Sequence, residues 1–253
     1  MTKSIRQSQA AYLLIDISNS YTKFAHASNS RLLRTTRIPT EKLTVARIER
    51  ALKQKAVTKI VICSVVPQRN ILIKRSAGKT PVTFVDPKTK LGVGIDYPNP
   101  RSIGADRLAN AAAVAELYGC PSIVVDFGTA VTFDVVSAQR AYIGGVIAPG
   151  LEAMTNYLYQ RTALLPKLVL SEPHNAIGRT TRAAMMAGAI FGYRGLVREI
   201  LAQIRHEAFG RHRPTIVATG GYAQLIAARM PMITAIHPHL TLEGLRIIGN
   251  LNV

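Results

Sequence analysis

A chain of 253 residues can bury a sizeable core and is long enough for one large domain or two small ones. Hydrophobic residues make up 48% of it, yet no apolar run approaches the roughly 20 residues that a bilayer-spanning helix needs. Met1–Gln9 is polar and basic and leads into an apolar run without a small-residue cleavage site, so no signal peptide is expected and the location expected is cytoplasmic. Lysine and arginine number 32 against 14 acidic residues, a formal net charge of +18. The basic residues are scattered and no basic run interleaves with aromatics, so a nucleic-acid site is not expected. The charge reads as a solvated face that also draws in anionic substrates.

In chain order, three strand-like runs come first, near residues 11–17, 20–27 and 31–38. A helix with apolar spacing through Leu43, Ile48 and Leu52 follows, then a strand Lys59–Ser64 that Val65-Val66-Pro67 stops. A turn-rich stretch, Gly92-Val93-Gly94-Ile95-Asp96-Tyr97-Pro98-Asn99-Pro100, leads through Gly104-Ala105-Asp106-Arg107 into a helix over 108–118. The pattern then restarts at Pro121, with strands at 122–127, 130–137 and 140–147, a helix from Leu151, an amphipathic stretch over 181–209 and a strand over 215–218. Thr219-Gly220-Gly221-Tyr222 links that strand to another helix. The order β-β-β-α-β-α therefore occurs twice, which predicts an α/β protein with mixed sheets.

The repeat is visible in the residues themselves. Leu13-Leu14-Ile15-Asp16-Ile17-Ser18-Asn19-Ser20 and Ile123-Val124-Val125-Asp126-Phe127-Gly128-Thr129-Ala130 are each an apolar strand ending in one aspartate and a turn of small residues. A carboxylate at such a strand end is costly unless cations or donors answer it. The small residues behind it let backbone N–H groups approach a phosphate. Two such half-domains could hold a nucleotide phosphate chain and its metal. Asp106, at a helix start, reads either as a first-turn carboxylate answering the helix dipole or as a proton acceptor, with Arg107 holding an anion. No GxSxG, GxxxxGK[ST] or GxGxxG is present, which removes the simplest hydrolase, P-loop and Rossmann readings. The six histidines show no metal-ligand spacing and are expected on the surface or in loops, and Cys63 and Cys120 read as core packing in a reducing compartment.

Taken together, these segments resemble the type III pantothenate kinases, members of the acetate kinase, sugar kinase, Hsp70 and actin superfamily. The most specific pieces are Tyr97-Pro98-Asn99-Pro100 with Gly104-Ala105-Asp106-Arg107, Val125 through Asp134, Gly144-Gly145-Val146-Ile147-Ala148-Pro149-Gly150-Leu151, Gly178-Arg179-Thr180-Thr181, Thr219-Gly220-Gly221 and Leu240 through Leu245. The resemblance implies an actin-like ATPase fold of two ribonuclease H-like domains with mixed sheets, divided into 1–119 and 120–253. It implies ATP-dependent phosphorylation of pantothenate to 4′-phosphopantothenate, the first step toward coenzyme A, with Mg²⁺, a monovalent cation (K⁺ or NH₄⁺) and a homodimer. Asp16, Ile17, Ser18 and Asn19, continuing through Ser20, Tyr21, Thr22 and Lys23, match the first phosphate loop, with Asp16 near the Mg²⁺–ATP phosphates and Thr129 touching ATP from the second. Asp126 matches the aspartate that helps hold the monovalent cation. Tyr97, Gly104, Ala105, Asp106 and Arg107 match the pantothenate site, with Asp106 as base, and Thr181 matches a substrate-contacting threonine better than Thr180.

One residue departs from the pattern. The family's first loop reads Asp-x-Gly-Asn-Thr, and here Ser18 replaces the glycine and Ser20 the threonine. A Cβ at position 18 stands where close backbone approach or positive φ is expected, which leaves a second reading open, a catalytically weakened relative acting as a regulatory or binding protein. A sugar or acetate kinase is disfavoured by the short chain, which lacks room for their inserted substrate domains.

Overall fold

The computed structural model describes residues 12–54 and 56–252, so the polar segment Met1–Gln9 lies outside the described residues. In chain order the elements are β1 (Tyr12–Ile17), β2 (Tyr21–Ala27), β3 (Leu32–Pro39), α1 (Val45–Lys53), β4 (Lys59–Ser64), α2 (Asn70–Ser76), β5 (Val82–Phe84), β6 (Gly94–Ile95) and α3 (Ala105–Leu117). There follow β7 (Ser122–Phe127), β8 (Ala130–Val136), β9 (Ala141–Pro149), α4 (Leu151–Arg161), α5 (Thr181–Ala208), β10 (Thr215–Thr219), α6 (Ala223–Ala227), β11 (Ala235–Ile236) and α7 (Leu240–Leu251). The chain forms two compact units, one made by residues up to Glu116 together with Leu240 onward, the other by Leu117–His239. The division expected at 119/120 assigned the last helix to the second half, whereas α7 packs on β1 and β4 of the first unit.

The two units repeat one topology. Strands of the first run in the order β3-β2-β1-β4-β5 and those of the second in the order β9-β8-β7-β10-β11. In each, the Asp-bearing strand pairs antiparallel with its hairpin partner on one side and parallel with a later strand on the other. β1 is buried along its whole length, as expected for a central strand covered on both faces. Its alternation sorts the layers. Leu13, Ile15 and Ile17 join Phe24, Ile48, Ile60 and Ile73 in a core under α1 and α2. Leu14 and Asp16 point to the opposite face, that of α7. There Gly244 of α7 lies directly against the Ala109 backbone of α3, leaving no room for a Cβ, and the Thr241 hydroxyl donates to Asn110 Oδ1 at 2.9 Å.

In the second unit Ile123, Val125 and Phe127 of β7, with Val131 and Phe133 of β8, pack against Ile190, Tyr193 and Val197 of α5. Asp126 takes the alternate position on its strand, as Asp16 does on β1. One histidine departs from expectation. His26 is buried in β2, where its Nε2 meets the Ala51 carbonyl at 2.8 Å.

Candidate active site

The end of β1 carries Asp16, only 2% exposed. In register it stands opposite Lys23 on β2 and Cys63 on β4. Lys23 Nζ lies 3.3 Å from Oδ2, the Ser18 hydroxyl donates to Oδ1 at 2.9 Å, and the Cys63 thiol approaches Oδ1 at 3.5 Å. The buried carboxylate is thus answered by one cation and two weaker donors, which is what its burial requires. The Ser18–Tyr21 turn closes with Ser18 N donating to the Tyr21 carbonyl at 3.1 Å. Thr40, just past β3, braces this turn. Its hydroxyl donates to the Ser18 carbonyl at 2.7 Å, its N–H donates to the Ser20 carbonyl at 3.0 Å, and the Thr22 hydroxyl lies 3.1 Å from its own. Beyond the turn, Arg37 sits over the Tyr21 ring at 3.4 Å.

Ser18 does not carry the backbone strain expected of it. Among the described residues Arg140 alone is a non-glycine with positive φ. In the second unit Gly128 occupies the place equivalent to Ser18, two residues past the aspartate, and its φ also lies outside the positive region. The hairpin at this position therefore accepts a side chain. The strain argument for a weakened relative, a serine forced into glycine conformation, therefore fails.

Asp106 lies in the first turn of α3, where Arg107 N donates to its Oδ1 at 2.9 Å. The carboxylate folds back over Gly104. A Cβ at 104 would stand 2.6 Å from that Oδ1, so glycine there leaves the acid its place. Burial pushes the Cys63 thiol well above the usual cysteine range, and the negative charges of Asp16 and Asp106 push it further. Asp106 on α3 and the Asp16 strand end belong to the same unit. Ala105 and Arg107 flank Asp106 on the same helix, and Tyr97 is exposed in the loop after β6.

In the second unit Asp126 pairs in register with Thr132 and Thr219 where Asp16 has Lys23 and Cys63. Gly220, with φ +95°, lies so close to the strand end that a Cβ would stand 2.5 Å from Asp126 Oδ1 and 2.6 Å from Phe127 N. The Thr129 turn is backed by Gly150, which leaves no space for a Cβ against the Thr129 carbonyl. Gly150 also immediately precedes α4. At the start of α5 the Thr180 side chain caps the helix by accepting from Ala183 N at 3.2 Å. Thr181 follows as the first helical residue and is exposed.

The two units thus divide the expected site residues. Asp16 through Lys23, Tyr97 and Gly104 through Arg107 belong to the first, and Asp126, Thr129 and Thr181 to the second. Sequence reasoning missed Thr40 and the place of Cys63. Thr40 gave no signal, because its partners lie 18 to 22 residues away. Cys63 could have been found, since a parallel strand beside β1 must bring one residue level with Asp16.

The model of the type III pantothenate kinase family matches residues 12–203 of this chain. The type III pantothenate kinase of Akkermansia muciniphila is 50% identical over 243 residues, spanning 96% of this chain and 99% of its own. That of Geobacter sulfurreducens is 39% identical, spanning 95% and 98%. Among solved structures, a Baf family protein from Campylobacter jejuni superposes over 95% of this chain and 100% of its own, with a TM-score of 0.63 at 22% identity. That likeness speaks for the fold alone, the actin-like ATPase architecture of two mixed-sheet units. From the family model and from relatives similar over nearly their whole length, the chain belongs to the type III pantothenate kinase family.

Proposed function

We propose that the protein transfers the γ-phosphoryl group of ATP to the primary hydroxyl of pantothenate, giving 4′-phosphopantothenate and ADP. The observation that carries this reading is the buried Asp16 at the end of β1, answered by Lys23 and the Ser18 hydroxyl, with Asp106 in the first turn of α3 of the same unit. It supplies one carboxylate at a phosphate turn and a second at a helix start, the two that phosphoryl transfer to an alcohol needs. Asp106 accepts the hydroxyl proton as the new O–P bond forms and the bond to the β-phosphate oxygen breaks. Lys23 and the Ser18–Tyr21 turn face the phosphates, and Arg107 serves the pantothenate carboxylate. Tyr97, Gly104, Ala105 and Thr181 complete the substrate site, and Thr129 touches ATP from the second turn.

Asp16 suits Mg²⁺, being an oxygen donor at a strand end. Among the described residues no group of three His, Cys, Asp or Glu side chains could hold a metal by itself. A Mg²⁺ held by one or two carboxylates, the nucleotide phosphates and water needs no such group. When bound it neutralises charge on the phosphates. Asp126 is our choice for the K⁺ or NH₄⁺ site.

The chain acts as a homodimer in this reading, supported by Met154, Tyr157, Leu158 and Tyr159 of α4 and Phe191 of α5, which are large and exposed within one unit. We place it in the cytoplasm, with ATP and pantothenate as its partners and no nucleic acid among them. No helix among the described residues is long and apolar enough to cross a membrane.

The test is transfer of labelled γ-phosphate from ATP to pantothenate, run in potassium and in sodium salts. Turnover dependent on pantothenate and faster in K⁺ is expected. Absence of transfer under both conditions overturns the kinase reading, and equal rates remove the monovalent cation from Asp126.

A further inference from the structure

The face of the first sheet opposite Asp16 holds a second concave feature. Side chains alternate along β2, so Lys23 shares the Asp16 face while Phe24 and His26 lie on the other. Phe24 pairs in register with Thr36 of β3, and Ile38 follows on the same side. Between these strands and α1 lies a cavity of about 330 Å³, at the small end of the range for small-molecule sites. Phe24, Ile38 and Ala51 are its apolar lining. Arg34 of β3 and Arg47 and Arg50 of α1, all three exposed, also line it.

Among the described residues none of these three arginines is in an ion pair. Glu49 lines the adjoining hollow together with Lys53 and Arg50 rather than this cavity. His26 also lines the cavity and is only 5% exposed. Its Nε2 must donate to the Ala51 carbonyl, since a carbonyl only accepts, which leaves Nδ1 with no protein partner among the described residues. Three like charges lining one pocket whose lining holds no carboxylate make it attractive to an anion. Guanidinium groups hold phosphate oxygens in a fork geometry that lysine cannot match.

We propose that this cavity binds a small phosphomonoester. Its phosphate is held by Arg34, Arg47 and Arg50, and its carbon body lies on Phe24 and Ile38. The apolar lining and the volume favour such a molecule over free inorganic phosphate. The concave shape, with no row of aromatic residues for stacking, favours it over a nucleic-acid strand. The site is separate from the phosphate turn because it lies on the other face of the sheet.

The test uses the whole chain with its active site saturated by pantothenate and a non-hydrolysable ATP analogue. Phenyl phosphate, inorganic phosphate and a single-stranded oligonucleotide are titrated by calorimetry and by NMR of the arginine side-chain N–H signals. Phenyl phosphate is expected to shift the signals of Arg34, Arg47 and Arg50 and to bind more tightly than inorganic phosphate. The triple variant Arg34→Gln, Arg47→Gln, Arg50→Gln is expected to lose roughly tenfold or more in that affinity, the scale of one charge-assisted hydrogen bond, with kinase turnover unchanged. Unaltered affinity in the triple variant overturns the proposal. So does binding of the oligonucleotide in preference to phenyl phosphate at these three residues. Equal affinity for phenyl and inorganic phosphate removes the carbon-body contact and overturns the assignment to a phosphomonoester.

Discussion

The Ser18 hydroxyl donates to Oδ1 of Asp16 at 2.9 Å, the residue that departs from the family's loop pattern bonding to the residue we assign to the metal. A cation reaching that oxygen must share it with the hydroxyl or displace it. Ser18→Ala removes the bond and keeps the backbone preference, whereas Ser18→Gly removes both. A hydrogen bond of this kind is worth about 0.5–1.5 kcal/mol net, so both variants are expected to lower KM for Mg–ATP by roughly two- to tenfold and to leave KM for pantothenate unchanged. A change in Ser18→Gly alone would trace the effect to loop flexibility instead, and no change in either would show that the hydroxyl does not compete with the metal.

Thr40 supports the same turn from behind. Because its hydroxyl hydrogen goes to the Ser18 carbonyl, the Thr22 hydroxyl must be the donor of the 3.1 Å contact between them. Thr40→Val keeps the shape and leaves the Ser18 carbonyl and the Thr22 hydroxyl without this partner. It is expected to cost about 1–3 kcal/mol of stability and to raise KM for ATP more than KM for pantothenate, while Thr40→Ser restores both. Loss of stability with KM for ATP unchanged would make Thr40 a fold residue with no hold on the turn.

Much of this was legible because it is local. The apolar runs ending at Asp16 and Asp126 are fixed by side-chain alternation over six residues, and the observed strands Tyr12–Ile17 and Ser122–Phe127 follow them. What escaped depends on pairing across the chain. The return of α7 to the first unit is settled by the fit of Gly244 against Ala109, and the burial of His26 by a carbonyl 25 residues away. The short helix Asn70–Ser76 has only two turns in which to show a period. In Thr219-Gly220-Gly221, Gly220 presses on the backbone at Phe127. Close chain packing is reason enough for a glycine there.

Gly220 therefore yields a stability prediction. Alanine there would meet the Phe127 backbone at 2.6 Å in a conformation with φ +95°. Backbone atoms cannot swing aside, and the strained φ alone costs about 1–3 kcal/mol. Gly220→Ala is expected to lower the denaturation midpoint by more than that strain accounts for, read by urea unfolding. A midpoint equal to that of the unmutated protein would mean that the β7–β10 junction can relax.

Acid should loosen the second unit at one identifiable place. Arg194, nearly buried, donates to both oxygens of Glu172 at 2.9 and 2.6 Å and to the Leu225 and Ile226 carbonyls. These hydrogen bonds hold the Glu172 carboxyl below the usual carboxylate range. A depressed folded-state pKa contributes stability that is present above the ordinary glutamate value and is lost as pH falls through the lowered one. Glu172→Gln is expected to destabilise the protein at neutral pH and to flatten the acid limb of its stability curve below about pH 4.3. An unchanged acid limb would show that other carboxylates dominate.

The sharpest test of the active-site geometry is at Gly104. Asp106→Asn should retain the fold and ATP binding while turnover falls by about 10²–10⁴, the usual range for losing a general base. That variant alone tests whether the carboxylate matters, not whether its observed place does. A Cβ at 104 would stand 2.6 Å from Asp106 Oδ1, an atom at the end of a side chain rather than backbone, which accepts from Arg107 N at 2.9 Å. The φ of Gly104 lies outside the positive region, so alanine adds no backbone strain. Gly104→Ala should therefore melt close to the unmutated protein while pushing the carboxylate off its position, and misplacement of a reacting group by an ångström can cost about 10²-fold in rate. If Gly104→Ala turns over at the original rate while Asp106→Asn is inactive, the acid reaches its substrate from another rotamer than the one folded over Gly104.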